Sequence, residues 1–282
     1  MGIRQLDQNA DTGPVFSTLC LDALAARIAQ QAGFTCGYVS GGALGYAHAV
    51  SEALLSVDEL ADVVRHVTAR SDLDIIVDAG VGFGDAVHVT RAVQVLEAAG
   101  ACAIELEDQV APKRVSHHRG IEHLIAPAEM VDKIKCAVDA RRSRTTSIIA
   151  RTGAVANESM SAACERARAY VGAGADMILM MPQSPEDWAE ANACVDVPLV
   201  CFGALGARSA EEWRRLGVSV VVDPFTAQVL QVRALQEIYD DFAAGRSPQV
   251  TVKALFETYE QLDALAGFAE LYQIEDETTE RR

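Results

Sequence analysis

The chain has 282 residues, half of them hydrophobic but only 6% aromatic, so its interior has to be built from Ala, Val, Leu and Ile. That length is generous for an ordinary domain and normal for one α/β barrel, which typically takes about 250 residues. A formal charge of −16 excludes a nucleic-acid partner in the usual mode, because a phosphate backbone would be repelled and no separate basic patch stands out.

In chain order, short Val/Ile/Leu-rich runs alternate with amphipathic segments that carry an Ala-rich face. This is the pattern of parallel strands buried on both faces with helices packed against them. A strand is predicted near residues 15–19, a helix over 23–31 and a strand over 35–40. Next come a helix over 57–68, a strand over 74–78, a helix over 85–99 and a strand over 101–107. The second half repeats the theme, with helices over 127–142, 158–173, 186–194 and 210–216 and strands over 146–151, 176–181, 198–202 and 218–222. A long helix over 225–244 follows. Eight strands is the number of a (β/α)8 TIM-type barrel. Residues 1–245 are expected to form that barrel with its catalytic mouth, and 246–282 a helical extension of the same domain that frays from about residue 275. Gly33, Gly100, Gly174 and Gly217 each close a helix before the next strand.

Seven cysteines are scattered without a CxxC pair, which argues against a disulfide framework and for a reducing, cytoplasmic location. No apolar stretch reaches the roughly 18 residues of a membrane span, so no membrane role is expected. Arg141, Arg142 and Arg144, the densest basic cluster, fall at a predicted helix end, where cations complement the terminal carbonyls.

Barrels of this kind carry their chemistry at the C-terminal ends of the strands. Those ends read Ser40-Gly41-Gly42, Asp78-Ala79-Gly80, Glu105 to Asp108, Arg151-Thr152-Gly153, Met181, Phe202-Gly203 and Asp223. Several carboxylates and one arginine at a single mouth suit a divalent metal and an anionic substrate. Ser40 to Gly42 offers backbone N–H groups unshielded by side chains, either as an anion-binding loop or as a plain turn. Glu107 and Asp108 are consecutive, so only one of them can face the mouth. The GVGFG run at 80–84 lacks the spacing of a dinucleotide fingerprint.

The segments YVSGG at 38–42, VDAGVGFG at 77–84, IELEDQVAPKR at 104–114 and IIARTGA at 148–154 resemble the isocitrate lyase/phosphoenolpyruvate mutase superfamily, in unbroken order from about residue 15 to 244. The branch they look most like is 2-methylisocitrate lyase. The resemblance implies a barrel whose eighth helix is exchanged with a neighbour, a homotetramer made of two such pairs, and magnesium (or manganese) at the mouth. It assigns Tyr38, Ser40, Gly41 and Gly42 to the substrate carboxylate, Asp78 and Glu107 to the metal, and Arg151 to the substrate. Lys113 and His117 match the lysine and histidine of a mobile catalytic loop.

The chain also departs from the pattern. The second aspartate of the metal motif is Gly80, and the loop cysteine that serves lyases as acid/base is Val115, followed by Ser116. Met181 and Phe202 replace an acid and an asparagine, and a further metal-shell aspartate aligns at Ser51, with Glu52 beside it. The expected activity is therefore a lyase cleaving a C–C bond, or decarboxylating, in a small 2-hydroxy or 2-oxo carboxylic acid through an enolate. Its proton would come from His117, His118 or Lys113. Phe202 would line the substrate, and an apolar wall there suits a hydrocarbon substituent better than a phosphonate. The alternatives are a hydrolase or phosphonomutase-like member, or a metal-independent descendant that only binds or assembles.

Overall fold

Eight parallel strands close into a barrel: β1 (Val15–Leu19), β2 (Cys36–Val39), β3 (Asp74–Asp78), β4 (Ala103–Glu107), β5 (Ser147–Arg151), β6 (Met177–Leu179), β7 (Leu199–Phe202) and β8 (Val218–Asp223). Each pairs with its neighbours in sequence, and β8 returns to β1 through Val15↔Val220 and Thr18↔Asp223. The computed structural model describes residues 13–247 and 250–280. The chain divides into two compact units, one ending at Phe225 and one beginning at Thr226.

In the first unit the strands are wrapped by α1 (Ala23–Gln31), α2 (Gly41–Ala47), α3 (Val57–Thr68), α4 (Ala86–Ala99), α5 (Pro127–Ala140), α6 (Ala154–Asn157), α7 (Met160–Gly172), α8 (Pro185–Cys194) and α9 (Ala210–Arg215). Alternation along each strand sorts side chains into two layers. Cys36, Tyr38, Ile76, Ala103, Ile149 and Val220 fill the barrel interior. Ile75, Val77, Ile104, Leu106, Ile148 and Ala150 point outward, against the helices. Local chemistry sets the helix starts: Asp22, Ser56, Asp85, Ser159, Ser184 and Ser209 each accept a backbone N–H of the first turn. The four helix-closing glycines take positive φ between 71° and 108°, the conformation that made glycine the expected residue. Arg141 is spent on the fold, bonding Thr146 O at 2.8 Å and Asp176.

Three local expectations are corrected. Gly41 and Gly42, expected in an anion-binding loop or a plain turn, instead open a helix over 41–47, because the Ser40 side chain caps the N–H of Ala43. The helix expected over 158–173 starts two residues later, as α7, since Ser159 adopts an extended backbone and caps its first turn, and the short α6 precedes it. β6 stops at Leu179, which leaves Met181 beyond the strand.

The second unit is helical, with α10 (Thr226–Ala243), α11 (Val252–Ala266) and α12 (Ala269–Thr278). Residues 275–278, at the start of the stretch expected to fray, belong to α12. The helix holds to Thr278 through i,i+4 bonds such as Gln273 to Glu277 at 2.8 Å. Arg281 and Arg282 lie outside the described residues. Among the described residues no helix is long and apolar enough to cross a membrane.

Candidate active site

The strand register puts the acids where they meet. Asp78 pairs with Glu105 across β3 and β4, and Glu107 pairs with Arg151 across β4 and β5. Glu105 and Glu107 are two residues apart, so both face the barrel interior, one above the other. The Tyr38 hydroxyl donates to Glu105 Oε2 at 2.9 Å, and Arg151 Nη1 donates to Glu105 Oε1 at 3.2 Å. Arg151 also lies 3.6 Å from Glu107 Oε2, which takes a further hydrogen bond from Gln109 at 3.0 Å. Asp78 accepts the N–H of Gly80 at 2.9 Å and that of Gly41 at 3.3 Å.

A loop closes over this set from the side. Lys113 reaches inward to Glu107 Oε1 at 2.6 Å and also pairs with Glu52. The 3-10 turn Val115–Arg119 brings His117 Nε2 to 2.6 Å from Glu52 Oε1. His117 Nδ1 lies 2.6 Å from the carbonyl of Arg114. A carbonyl only accepts, so the proton of that ring nitrogen is fixed and Nε2 is the nitrogen left for proton exchange. His118 instead touches Ser51 Oγ at 3.0 Å and stacks on His117 with ring centres 3.9 Å apart. Val115 is exposed.

Burial and charge split the acids into two kinds. Burial pushes the Glu105 carboxyl up to about 8, with the Asp78 charge adding to it and Arg151 opposing. Burial likewise raises Asp78, reinforced by Glu52. Glu107 goes the other way: burial works against its charge, but Lys113 and Arg151 outweigh burial and hold it below the usual carboxylate range. Burial opposes the Lys113 ammonium too, yet Glu107, Asp78 and Glu52 more than compensate and raise it. The Glu107–Lys113 pair is thus held charged, above a Glu105 whose carboxyl is pushed toward its neutral form.

Of the residues singled out from the sequence, Tyr38, Ser40, Gly42, Asp78, Lys113, His117, Arg151 and Phe202 line one cavity of about 190 Å³. Gly41 lines an adjoining cavity of about 130 Å³ with Glu52, Asp78, Gly80 and Lys113. The 40–42 segment stands close to acids, since a side chain built on Gly42 would meet Glu52 Oε2 at 3.1 Å. The Phe202 ring lies 4.9 Å from the Arg151 guanidinium carbon and meets the Tyr38 ring edge-on at 6.1 Å.

Asp108 is turned away from this centre. Its oxygens accept from Thr152 at 2.7 Å, Tyr170 at 2.8 Å, Gly153 at 3.1 Å and Arg166 at 3.3 Å, behind the barrel wall. Two site residues were not anticipated. Glu52, not Ser51, sends its carboxylate into the centre, while Ser51 caps the turn Glu52–Leu54. Glu105 could have been found from its two-residue offset to Glu107.

The oxygen donors suit a hard cation. Glu52, Asp78, Glu105 and Glu107 are four acids facing two permanent cations, Lys113 and Arg151. Glu107 Oε1 lies against Lys113 without a well-directed hydrogen bond. Beside it Gly80 leaves open space, for a side chain there would meet only Glu107 Oε1, at 3.8 Å. Among the described residues no three such side chains form a ready-made metal cage. Magnesium does not require one, because it keeps several waters and takes one or two carboxylates.

The chain is similar to several named proteins. A "Probable 2-methylisocitrate lyase 2" of Corynebacterium glutamicum is 37% identical over 226 residues, 78% of this chain and 73% of that protein. A 2,3-dimethylmalate lyase of Eubacterium barkeri is 30% identical over 266 residues, 90% of each. The crystal structure of a phosphonopyruvate hydrolase with oxalate and Mg2+ matches with a TM-score of 0.82 at 28% identity, over 99% of this chain and 100% of that one. The family model described as phosphoenolpyruvate phosphomutase matches residues 3–243. The chain belongs to that family, within the phosphoenolpyruvate mutase/isocitrate lyase superfamily.

Proposed function

We propose that this chain is a carbon–carbon lyase that cleaves a small 2-hydroxy or 2-oxo carboxylic acid through an enolate. The observation that carries the reading is the meeting of Arg151 with Lys113, Asp78 and Glu107 at one mouth. A cation for a developing oxyanion thus stands beside oxygen donors for a hard metal. Arg151 holds the substrate carboxylate, with Tyr38 and Ser40 to Gly42 shaping its seat. Asp78 and Glu107, helped by Glu52, hold magnesium, with manganese as a substitute. When bound, the ion would polarise the substrate carbonyl as a Lewis acid. His117 Nε2 holds the proton that the enolate carbon takes, and Glu52 is the partner through which that nitrogen is reset. Lys113 keeps Glu107 ionised and steadies the loop that shields the site from water.

The named lyases among the relatives support this reaction class. A phosphonate hydrolase or mutase is the second reading, favoured by the likeness to phosphonopyruvate hydrolase. The large apolar side chains exposed on α10, α11 and α12, Phe242, Phe256 and Tyr259 among them, support a homotetramer of two helix-exchanged pairs. Seven free cysteines support a cytoplasmic location.

The test is a panel of short branched 2-hydroxy and 2-oxo acids, with phosphonopyruvate included, assayed in magnesium for pyruvate, glyoxylate, carbon dioxide and phosphate. Arg151→Ala should lower turnover by at least about 10²-fold, the scale for losing one oxyanion partner. Wild-type turnover in that variant would mean the site is misplaced. Millimolar magnesium should raise the melting temperature of the native chain and not that of Asp78→Asn. No rise in either protein would remove the metal from the scheme.

A further inference from the structure

Among the described residues two basic ones are buried, Arg166 and Lys133. Arg166 faces the carboxylates of Asp108 and Glu158. Lys133 has no carboxylate within ion-pair distance among those residues. It is 1% exposed, on the core face of α5 with Met130, Ile134 and Ala137. Its ammonium donates to the carbonyl of Val81 at 3.0 Å. A buried cation without a counter-ion is costly, and an apolar side chain would fill the same helix position without that cost. What the lysine supplies there is a donor to Val81.

Val81 lies in the turn between β3 and α4, and that turn is wound tightly. Gly80, Gly82 and Phe83 take φ values of +52°, +79° and +62°. Phe83 carries a bulky side chain in the left-handed region, a conformation that persists only where the surroundings impose it. Three successive carbonyls of the turn each find a donor. Ala79 takes the N–H of Gly82 and Gly80 that of Glu107, both at 2.9 Å, while Val81 takes the Lys133 ammonium. The third tie is thus a side chain reaching in from α5. The same turn carries the proposed metal seat, for the Gly80 N–H donates to Asp78 Oδ1 at 2.9 Å. Asp78, Gly80, Val81 and Phe83 all line the 130 Å³ cavity, together with Glu52 and Lys113.

We propose that Lys133 is a positioning residue for the metal seat: it ties down the Val81 carbonyl, holds the 79–84 turn in its left-handed winding and so keeps the Gly80 N–H on Asp78. The inference rests on the reading of Asp78 and Glu107 as magnesium ligands. Two roles for the lysine have opposite signs. As a tie, its removal loosens the turn and weakens magnesium binding. As a nearby positive charge alone, felt by Glu107, Asp85 and Glu129, its removal would strengthen that binding.

The experiment is calorimetric titration of the full chain with magnesium chloride, for the native protein, Lys133→Met and Lys133→Arg. Metal-free melting temperature and amide hydrogen exchange are measured on the same samples. Lys133→Met keeps the length of the side chain and removes the donor. It should weaken magnesium binding by at least about tenfold, the scale for losing a group that orients a metal ligand. Exchange across residues 79–84 should speed up, with α4 and α5 keeping their native protection. The melting temperature should stay within about 4 °C of native, because the lost hydrogen bond is offset by removal of a buried charge. Lys133→Arg should restore most of the affinity, since a guanidinium can donate to the same carbonyl. Unchanged or tighter magnesium binding in Lys133→Met overturns the proposal, as does a Lys133→Arg as weak as Lys133→Met. Faster exchange spread through α4 and α5 also overturns it, since the lysine would then serve the whole fold. Should Lys133→Met not fold, Lys133→Leu is read by the same criteria, and failure of both to fold counts against the proposal. Magnesium bound alike by the native chain and Lys133→Met sinks this inference alone. A native chain that binds no magnesium sinks the metal seat and this inference with it.

Discussion

Glu107 and Asp108 are adjacent in the chain and sit in two regions of opposite character. Behind the barrel wall, Asp108 accepts four hydrogen bonds, one from the Arg166 guanidinium, and its carboxylate is satisfied locally. On the mouth side, Glu107 shares Lys113 and Arg151 with Glu52, Asp78 and Glu105, and acidic groups outnumber the permanent cations. A carboxylate with every oxygen taken holds structure together. A group of carboxylates short of cations is prepared for something that arrives from outside.

The largest effect should come from breaking the satisfied side. Asp108→Ala strips Arg166 of one buried partner and strands Thr152 and Tyr170, so urea unfolding should show a loss of about 3–5 kcal/mol. A loss below about 1 kcal/mol would mean that Asp108 is not structural in this sense. On the mouth side the two loop histidines sharpen the contrast. His117→Ala should lower kcat by about 10²-fold or more, the usual share of a general acid, and His118→Ala by only a few-fold, the scale of one exposed hydrogen bond.

Glu105 gives a pH signature for the acid excess. Its carboxyl is raised by burial from an ordinary value near 4.5 to about 8, so the folded state holds a proton that the unfolded chain releases. Its contribution to stability is then complete below about 4.5 and lost as pH rises through about 8. Melting curves of magnesium-free protein from pH 5 to 9 should fall more steeply for the native chain than for Glu105→Gln. Parallel curves would argue that Glu105 is ionised throughout. The smallest expected effect is at Gly80, where φ is +52° and the space beside Glu107 is open. Gly80→Asp should tighten magnesium binding several-fold while costing about 1 kcal/mol of metal-free stability, the left-handed backbone penalty. Weaker binding would show that added repulsion with Glu107 outweighs the new donor.

The barrel was legible because its signals are periodic: the eight apolar runs became the eight strands, and Gly100 and Gly217 turned where expected. Strand parity was also enough to foresee that Glu107 and Asp108 would separate. What sequence could not carry was contact between distant segments. The role of Glu52 depends on α2 packing so closely on the following turn that a side chain at Gly45 would stand 2.8 Å from the Glu52 backbone nitrogen. That approach turns the acid inward and leaves Ser51 to the cap, which a one-residue ambiguity in alignment could not resolve. The helix at 41–47 was hidden for a related reason, its three glycines reading as a loop until the Ser40 cap and burial of Leu44 are in place.

Arg151 shows what the stacked acids accomplish beyond charge. Its guanidinium is fixed below by Glu105, beside by Glu107 and across its face by Phe202. A free arginine side chain carries about 2 kcal/mol of rotamer entropy that a binding event must remove. Here that freedom is already gone before any ligand arrives. The barrel has moved the ordering of its anion receptor out of the binding step and into folding.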